Sequence, residues 1–221
     1  MPDSSRPELI EVLADAVASL DLDHPTRVAV DGITASGKTT LARELTGALV
    51  ARGRPAVHLS MDGFHHPRAV RHRQGRESAD GYYEDAYDFG AFVREVLAPL
   101  DEGGEHRYRA RIIDLPTDTP VLEEPVPLSS DAVLVVDGSF LQRAEMAGHW
   151  DLVIFLDVAF DVARERGAQR DAELLGGVEA ARTLYERRYH AAARRYLAEC
   201  TPRDRADLVV DNTDPHRPRF V

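Results

Sequence analysis

Two patterns of apolar residues alternate along this chain. Short apolar runs, several ending on Asp or Gly, are separated by longer stretches in which apolar residues recur every three or four positions. The runs read as strands buried on both faces and the stretches as helices with one face inward. Strands are predicted over 27–31, 55–61, 131–138, 151–157 and 207–211. A first helix is predicted over 7–20, where Leu9, Ile10, Leu13, Val17 and Leu20 share a face and Pro7 suits a first turn. A second follows the first strand, with Leu41, Leu45, Ala48 and Leu49 in period, and ends near Arg52-Gly53. A third spans 88–100 with Phe92, Val93, Val96 and Leu97 inward, and a short one covers 139–146. A charged helix follows Asp157, and a long Ala/Arg-rich helix covers 178–199. Strand, helix and strand have appeared by residue 61, a βαβ unit that implies a parallel sheet. The alternation breaks over 105–128, where Pro116, Pro120, Pro125 and Pro127 punctuate two extended pieces, 107–114 and 119–122, that read as a hairpin excursion. Such an insertion supplies an acceptor pocket or merely decorates the fold, and the pattern leaves both open.

Composition narrows the picture. A chain of 221 residues can bury a proper core and reads as one domain over 1–221. Its 27 Lys and Arg against 38 Asp and Glu give a net charge of −11, which argues against a nucleic-acid partner. Cys200 is the single cysteine, so no internal disulfide forms, and no Cys/His cluster has zinc spacing. Met1 to Glu11 is polar and acidic, unlike a signal peptide, and no apolar run reaches membrane-spanning length. The expectation is a cytoplasmic protein without a membrane partner; monomer and homo-oligomer are both open.

Candidate chemistry concentrates at the ends of the strands. After the first strand the chain reads Gly32-Ile-Thr-Ala-Ser-Gly37-Lys38-Thr39-Thr40, the G-x-x-x-x-G-K-[ST] pattern of a phosphate-binding loop. Gly32, Thr34, Ala35, Ser36, Gly37, Lys38, Thr39 and Thr40 are the nucleotide-binding candidates, with backbone N–H groups around the phosphates and Lys38 on the β/γ-phosphates. A glycine-containing turn that matches by chance is the plain alternative. Against it stand the flanking strand and helix, and Lys38 is the only lysine in a chain that otherwise uses arginine for positive charge. The Thr39 hydroxyl is a Mg²⁺ ligand candidate.

Asp62, at the end of the second strand, is placed to accept a proton from a substrate hydroxyl attacking a γ-phosphoryl group; an Asp capping a turn before Gly63 is the bland reading. Asp137 and Asp157 both close apolar strands, and of the two Asp137 is taken as the Mg²⁺ carboxylate. The run His65, His66, Arg68, Arg71, His72, Arg73 and Arg76 is either a solvated loop or a segment facing an anionic or polar acceptor. Tyr82, Tyr83 and Tyr87 stack on a base or belong to the core. Arg164, Arg166 and Arg170, flanked by Gly167, Gly176 and Gly177, suit a lid over 164–178 or an ordinary charged helix.

Gly32 to Thr40, Ser60-Met61-Asp62-Gly63-Phe64, Tyr87-Asp88-Phe89, Val135-Val136-Asp137-Gly138, Arg166-x-x-x-Arg170-Asp171 and Asp211-Asn212 together resemble, in this order, the uridine kinase and phosphoribulokinase family of P-loop kinases. The resemblance covers nearly the whole chain. It implies an α/β P-loop NTPase three-layer fold: a five-stranded parallel sheet with helices on both faces and a small β-hairpin excursion. It implies ATP or GTP with Mg²⁺, Asp62 as the hydroxyl-activating base, Lys38 on the transferred phosphoryl group, and Arg166 and Arg170 as lid arginines. Phe64, His65, Tyr87, Tyr108 and Arg170 become candidates for a small-molecule acceptor, with the 5′-hydroxyl of uridine or cytidine foremost. A pantothenate-like or phosphosugar acceptor, or a non-catalytic nucleotide switch, remain alternatives. Two positions depart from the family pattern: Asp137 replaces a Glu, and Ile113 stands five residues after Tyr108 where a base-reading His is usual.

Overall fold

The computed structural model describes residues 5–221; residues 1–4 of the polar leading stretch lie outside the described residues. Helix α1, Arg6–Ala18, opens with the Glu8 carboxylate accepting from the Ser5 N–H at 2.8 Å. Strand β1, Thr26–Gly32, leads into α2, Lys38–Ala51, and then β2, Ala56–Ser60. Helix α3, Ala79–Asp85, precedes a helical stretch over 89–100, α4, built from an α-turn Phe89–Phe92, a π-turn Val93–Leu97 and a 3₁₀ turn Ala98–Leu100. Strands β3, Val133–Asp137, and β4, Leu152–Asp157, follow, then α5, Phe160–Leu175. The helical rod over 178–200, α6, has a π-turn at Tyr185–His190 in its middle. The chain ends through β5, Leu208–Asp211, and β6, Arg219–Phe220.

The six strands lie in the order β6-β5-β4-β1-β3-β2. β1 to β5 run parallel, and β6 pairs antiparallel with β5 at the edge. Five parallel strands are what the sequence leads one to expect; β6 is too short to leave a pattern. All seven residues of β1 are buried, because helices cover both faces of the sheet and alternate side chains serve alternate layers. Val28 and Val30 pack with Leu9, Leu13, Leu41 and Leu45 on one side, while Ala29 joins Phe92, Leu97 and Tyr196 on the other. The register matches Val30 and Ser60 to Asp137, Gly32 to Leu156, and Asp157 to Asp211. Every parallel strand therefore delivers its C-terminal residue to one edge, where the order reverses around β1 and open α/β sheets bind ligands.

Several predicted elements differ. The stretch 139–146 holds only the 3₁₀ turn Ala144–Met146, since Phe140 takes a left-handed φ of 70° that no helix accommodates. Gly167 is no hinge: it lies in mid-α5, where an added Cβ would meet the Tyr185 ring at 2.1 Å, so its role is close packing of α5 on α6. The excursion is pinned by two short antiparallel pairs, Arg107–Tyr108 with Val126–Pro127 and Ile113–Asp114 with Thr119–Pro120. Among the described residues no helix is long and apolar enough to cross a membrane.

Gly167→Ala is expected to force Tyr185 aside and cost about 1–3 kcal/mol. A thermal melt should register this as a loss of roughly 2–4 °C per kcal/mol for a chain of this size. A second expectation concerns Asp31, wholly buried at the end of β1, where it accepts from Tyr196 Oη at 2.6 Å, Gln142 Nε2 at 3.1 Å and the Gly32 N–H at 2.8 Å. Burial raises its pKa above the ordinary 3.8 despite these bonds. The folded state therefore binds this proton more tightly than the unfolded chain, and the stability it contributes is present below about 3.8 and lost as pH rises through the raised value. Asp31→Asn should flatten that decline when melting temperature is followed against pH.

Candidate active site

The loop between β1 and α2 is an anion cradle built from backbone. Gly37 occupies the N-cap of α2 with φ of 100°, and no side chain caps the helix. Its first N–H groups, with the positive end of the helix dipole, are left for a ligand. Gly37 is required twice over: the left-handed φ disfavours any side chain, and a Cβ would lie 2.6 Å from Asn212 Nδ2. That amide, at the end of β5, donates to the Ser36 carbonyl at 2.7 Å and holds the crest of the loop. The Lys38 ammonium donates to the carbonyls of Gly32 and Ile33 at 3.0 and 2.8 Å. Burial pushes its pKa down, and the charges of Asp137, Asp31 and Asp62 draw it partly back. Thr34, Ala35, Lys38 and Thr39 line a cavity of about 650 Å³, whereas Thr40 is exposed beside it.

Across the loop, Thr39 Oγ1 donates to Asp137 Oδ2 at 2.6 Å, and His58 Nε2 lies 2.6 Å from the other carboxylate oxygen. Asp137 is thus held on both oxygens, with only 4 % of the residue exposed. His58 reaches it because β2 and β3 pair in register, Ser60 opposite Asp137, and side chains two apart share a face. A hydroxyl and a carboxylate suit Mg²⁺, which takes few protein oxygens and completes its shell with water and phosphates. Thr39 and Asp137 would hold such an ion, and its chemistry would be neutralisation of phosphate charge. The second strand-end carboxylate, Asp157, pairs with Arg203 at 3.2 Å instead. His58 went unnoticed in the sequence; the signal available was one polar ring inside an otherwise apolar strand.

On the opposite wall Asp62 stands in the 3₁₀ turn Met61–Phe64 that prolongs β2. Its side chain is 66 % accessible, but the access is from the cavity it lines. Tyr87 Oη donates to Asp62 Oδ1 at 3.4 Å, and His65 Nε2 lies 3.5 Å away. These are long contacts of the kind that tighten around a substrate. The His65 ring stacks on Tyr87 at 4.2 Å, and its Nδ1 donates to the Ala86 carbonyl at 2.8 Å, so Nε2 can donate to Asp62 only when the ring carries both protons. Burial raises the Asp62 pKa, but the His65 hydrogen bond and charge, then Lys38 and Tyr87, hold it below the ordinary carboxylate range. At neutral pH it is an ionised acceptor.

Three candidate residues lie elsewhere. Phe64 is wholly buried against the edge of Phe92 at 4.9 Å, a core residue rather than an acceptor contact. Tyr108 packs against the core from the excursion, which sends only Leu115 into the cavity lining. Arg166 donates to the carbonyls of Asn212 and Thr213 at 3.0 and 2.5 Å, bracing the turn after β5. One turn further along α5, Arg170 does line the cavity, bonded to Asp171 and at 3.1 Å to Tyr185 Oη. The His/Arg run also turns inward, bringing His65, Arg68, Arg71, His72 and Arg76 to the cavity. Tyr185, Arg188 and Tyr189, from the π-turn of α6, complete that wall and are absent from the sequence-based candidates. Their signal was faint, since a long charged helix gives no hint of which side faces a ligand.

Comparison with known proteins gives concordant results. Residues 28–216 match the sequence model of the Phosphoribulokinase / Uridine kinase family. Uridine-cytidine kinase B of Dictyostelium discoideum is 29 % identical over 194 residues, covering 85 % of this chain and 74 % of that protein. Pantothenate kinase of Rhodopseudomonas palustris strain BisA53 is 31 % identical over 163 residues, covering 66 % of this chain and 49 % of its own length. A structure described as a possible uridine kinase from Bacillus stearothermophilus superposes with a TM-score of 0.74 at 26 % identity, over 92 % of this chain and 97 % of that one.

Loss of the His58 contact should loosen the metal site without touching the phosphate cradle. His58→Ala is expected to weaken Mn²⁺ affinity, titrated calorimetrically in the presence of ADP, by roughly 10–100-fold. ADP affinity in EDTA should be unchanged.

Proposed function

The chain belongs to the Phosphoribulokinase / Uridine kinase family, and from that premise we propose that it transfers the γ-phosphoryl group of ATP to a hydroxyl of a small molecule. One observation carries the reading: the ionised Asp62 opens into the same cavity as Lys38, Thr39 and Asp137. A nucleotide switch needs the last three and has no use for the first. The amides of the loop and Lys38 bind the phosphates, and GTP would satisfy them equally, since nothing in the cradle reads the base. Mg²⁺ held by Thr39 and Asp137 would supply neutralisation of phosphate charge. Asp62 takes the proton from the acceptor hydroxyl as its oxygen forms the new bond to phosphorus and the bond to the departing ADP breaks. His65 and Tyr87 orient the Asp62 carboxylate, and Arg170 faces the charge that develops on the moving phosphoryl group. The larger part of the rate enhancement comes from position and charge rather than covalent chemistry.

Two classes of acceptor fit this chemistry. The 5′-hydroxyl of uridine or cytidine is supported by the relatives named for those substrates. A different primary alcohol is supported by the pantothenate kinase relative and by Tyr108, which stands outside the cavity where a base-reading residue would be wanted.

Asp62→Asn should lower phosphoryl transfer by about 10²–10⁴-fold while the ATP dissociation constant stays within about twofold. ADP release coupled to a panel of nucleosides, pantothenate and sugar phosphates provides the measurement. Undiminished transfer in the variant removes Asp62 from the role of base, and stimulation of the wild type by no acceptor returns the protein to the switch reading.

A further inference from the structure

Among the described residues three arginines are buried: Arg27, Arg71 and Arg188 at 4, 8 and 7 % exposure. A guanidinium does not shed its proton, so a buried one needs an anion nearby. Arg27 has Asp151 and Asp101, and Arg71 has Asp118 at 2.9 Å. Arg188 has no carboxylate among the described residues. It donates once, to the Arg76 carbonyl at 2.5 Å, and its Nε is buried with no partner. The rings of Tyr82 and Tyr189 stand 5.2 and 5.4 Å from the guanidinium carbon and give it only a partial counter-field. This unpaired cation lines the cavity.

Two of its neighbours are exposed arginines at the rim of the same cavity. Arg68 and Arg76 also line the cavity and form no ion pair among the described residues. His72, beside them, is pushed down by burial and then by the guanidiniums of Arg188, Arg71, Arg76 and Arg68. So dense a positive wall, in a chain of net charge −11, is local rather than compositional. The wall also lies within reach of the transfer centre. Arg188 covers Tyr82, the Tyr82 hydroxyl lies 3.4 Å from that of Tyr87, and the Tyr87 hydroxyl donates to Asp62 at 3.4 Å.

We propose that Arg188, with Arg68, His72 and Arg76, forms an anion subsite across two tyrosine rings from Asp62, and that the acceptor is a primary alcohol carrying a carboxylate or phosphate rather than a neutral nucleoside. The proposal rests on the kinase reading above and names its substrate class. Arginine clusters bind carboxylate and phosphate by the same forked hydrogen bonds, so both remain in the test.

Turnover of the full chain would be compared on uridine, on pantothenate and glycerate as carboxylates, and on ribulose 5-phosphate. An anionic acceptor should exceed uridine in kcat/KM by about tenfold or more, and Arg188→Gln should raise its KM by a similar factor. Uridine as the better acceptor, or an unchanged KM in the variant, overturns the proposal. A binding arm is independent of turnover. With the loop saturated by Mg²⁺ and a non-hydrolysable ATP analogue, inorganic phosphate and, separately, glycerate are added and the melting temperature is read. Stabilisation by either in the wild type, lost in Arg188→Gln, supports the subsite and tells phosphate from carboxylate; no stabilisation, or equal stabilisation in both proteins, removes it. If Arg188→Gln does not fold, the surface double variant Arg68→Gln, Arg76→Gln takes its place, with the shift expected to shrink and full retention counting against the subsite. Loss of the kinase reading looks different: no acceptor of either class would be phosphorylated, whatever the binding arm shows.

Discussion

Lys38 is a buried cation whose ammonium is held by two carbonyls of its own loop, with no carboxylate at ion-pair distance among the described residues. An arrangement of this kind is stable only if the loop itself cannot move, and the rest of the fold is organised to that end. β1 is central, hydrogen-bonded on both sides and buried along its whole length, so the loop leaves the sheet from a fixed point. Asn212, just after β5, clamps the Ser36 carbonyl, and Arg166 braces the carbonyls of Asn212 and Thr213. The cradle thereby keeps its amides and its ammonium pointed at an anion before any anion arrives, which is the sense in which such a site is preorganised.

The cavity beyond the loop is electrically polar. Asp62, Asp137, Lys38 and Thr39 line it together with Arg68, Arg76 and Arg188, and Tyr82 and Tyr87 stand between Arg188 and Asp62. Acidic groups near a site for phosphates are tolerable because each is committed: Asp137 to Thr39 and His58, Asp62 to His65 and Tyr87. Among the described residues Arg68, Arg76 and Arg188 have no carboxylate partner, and that asymmetry is what distinguishes the acceptor wall from an ordinary charged surface.

Much of the framework was legible without coordinates. The five parallel strands and the helical stretches 89–100 and 178–200 fall within a few residues of where apolar periodicity put them, because burial on two faces or on one stripe leaves a local trace. The exceptions have local causes too: the left-handed Phe140 prevents a helix after β3, and β6 has only two residues. The acceptor side was far less legible. Phe64, Tyr108 and Arg166 had the right chemistry at plausible positions, yet Phe64 belongs to the core, Tyr108 packs against it from the excursion, and Arg166 braces the turn after β5.

The sequence by itself determined the phosphate-binding loop, since a cradle made of consecutive backbone amides needs only a run of residues with the right spacing and two glycines. It determined the sheet for a similar reason, each strand being its own short signal. Only the tertiary structure decided which carboxylate meets Thr39, that His58 stands behind it, and that Arg188 faces the cavity. Those contacts join segments as far apart as residues 62, 87, 137, 170 and 188, and their proximity depends on strand register and on a π-turn in α6. No spacing along the chain encodes such distances, because they arise only once helices have packed across the sheet.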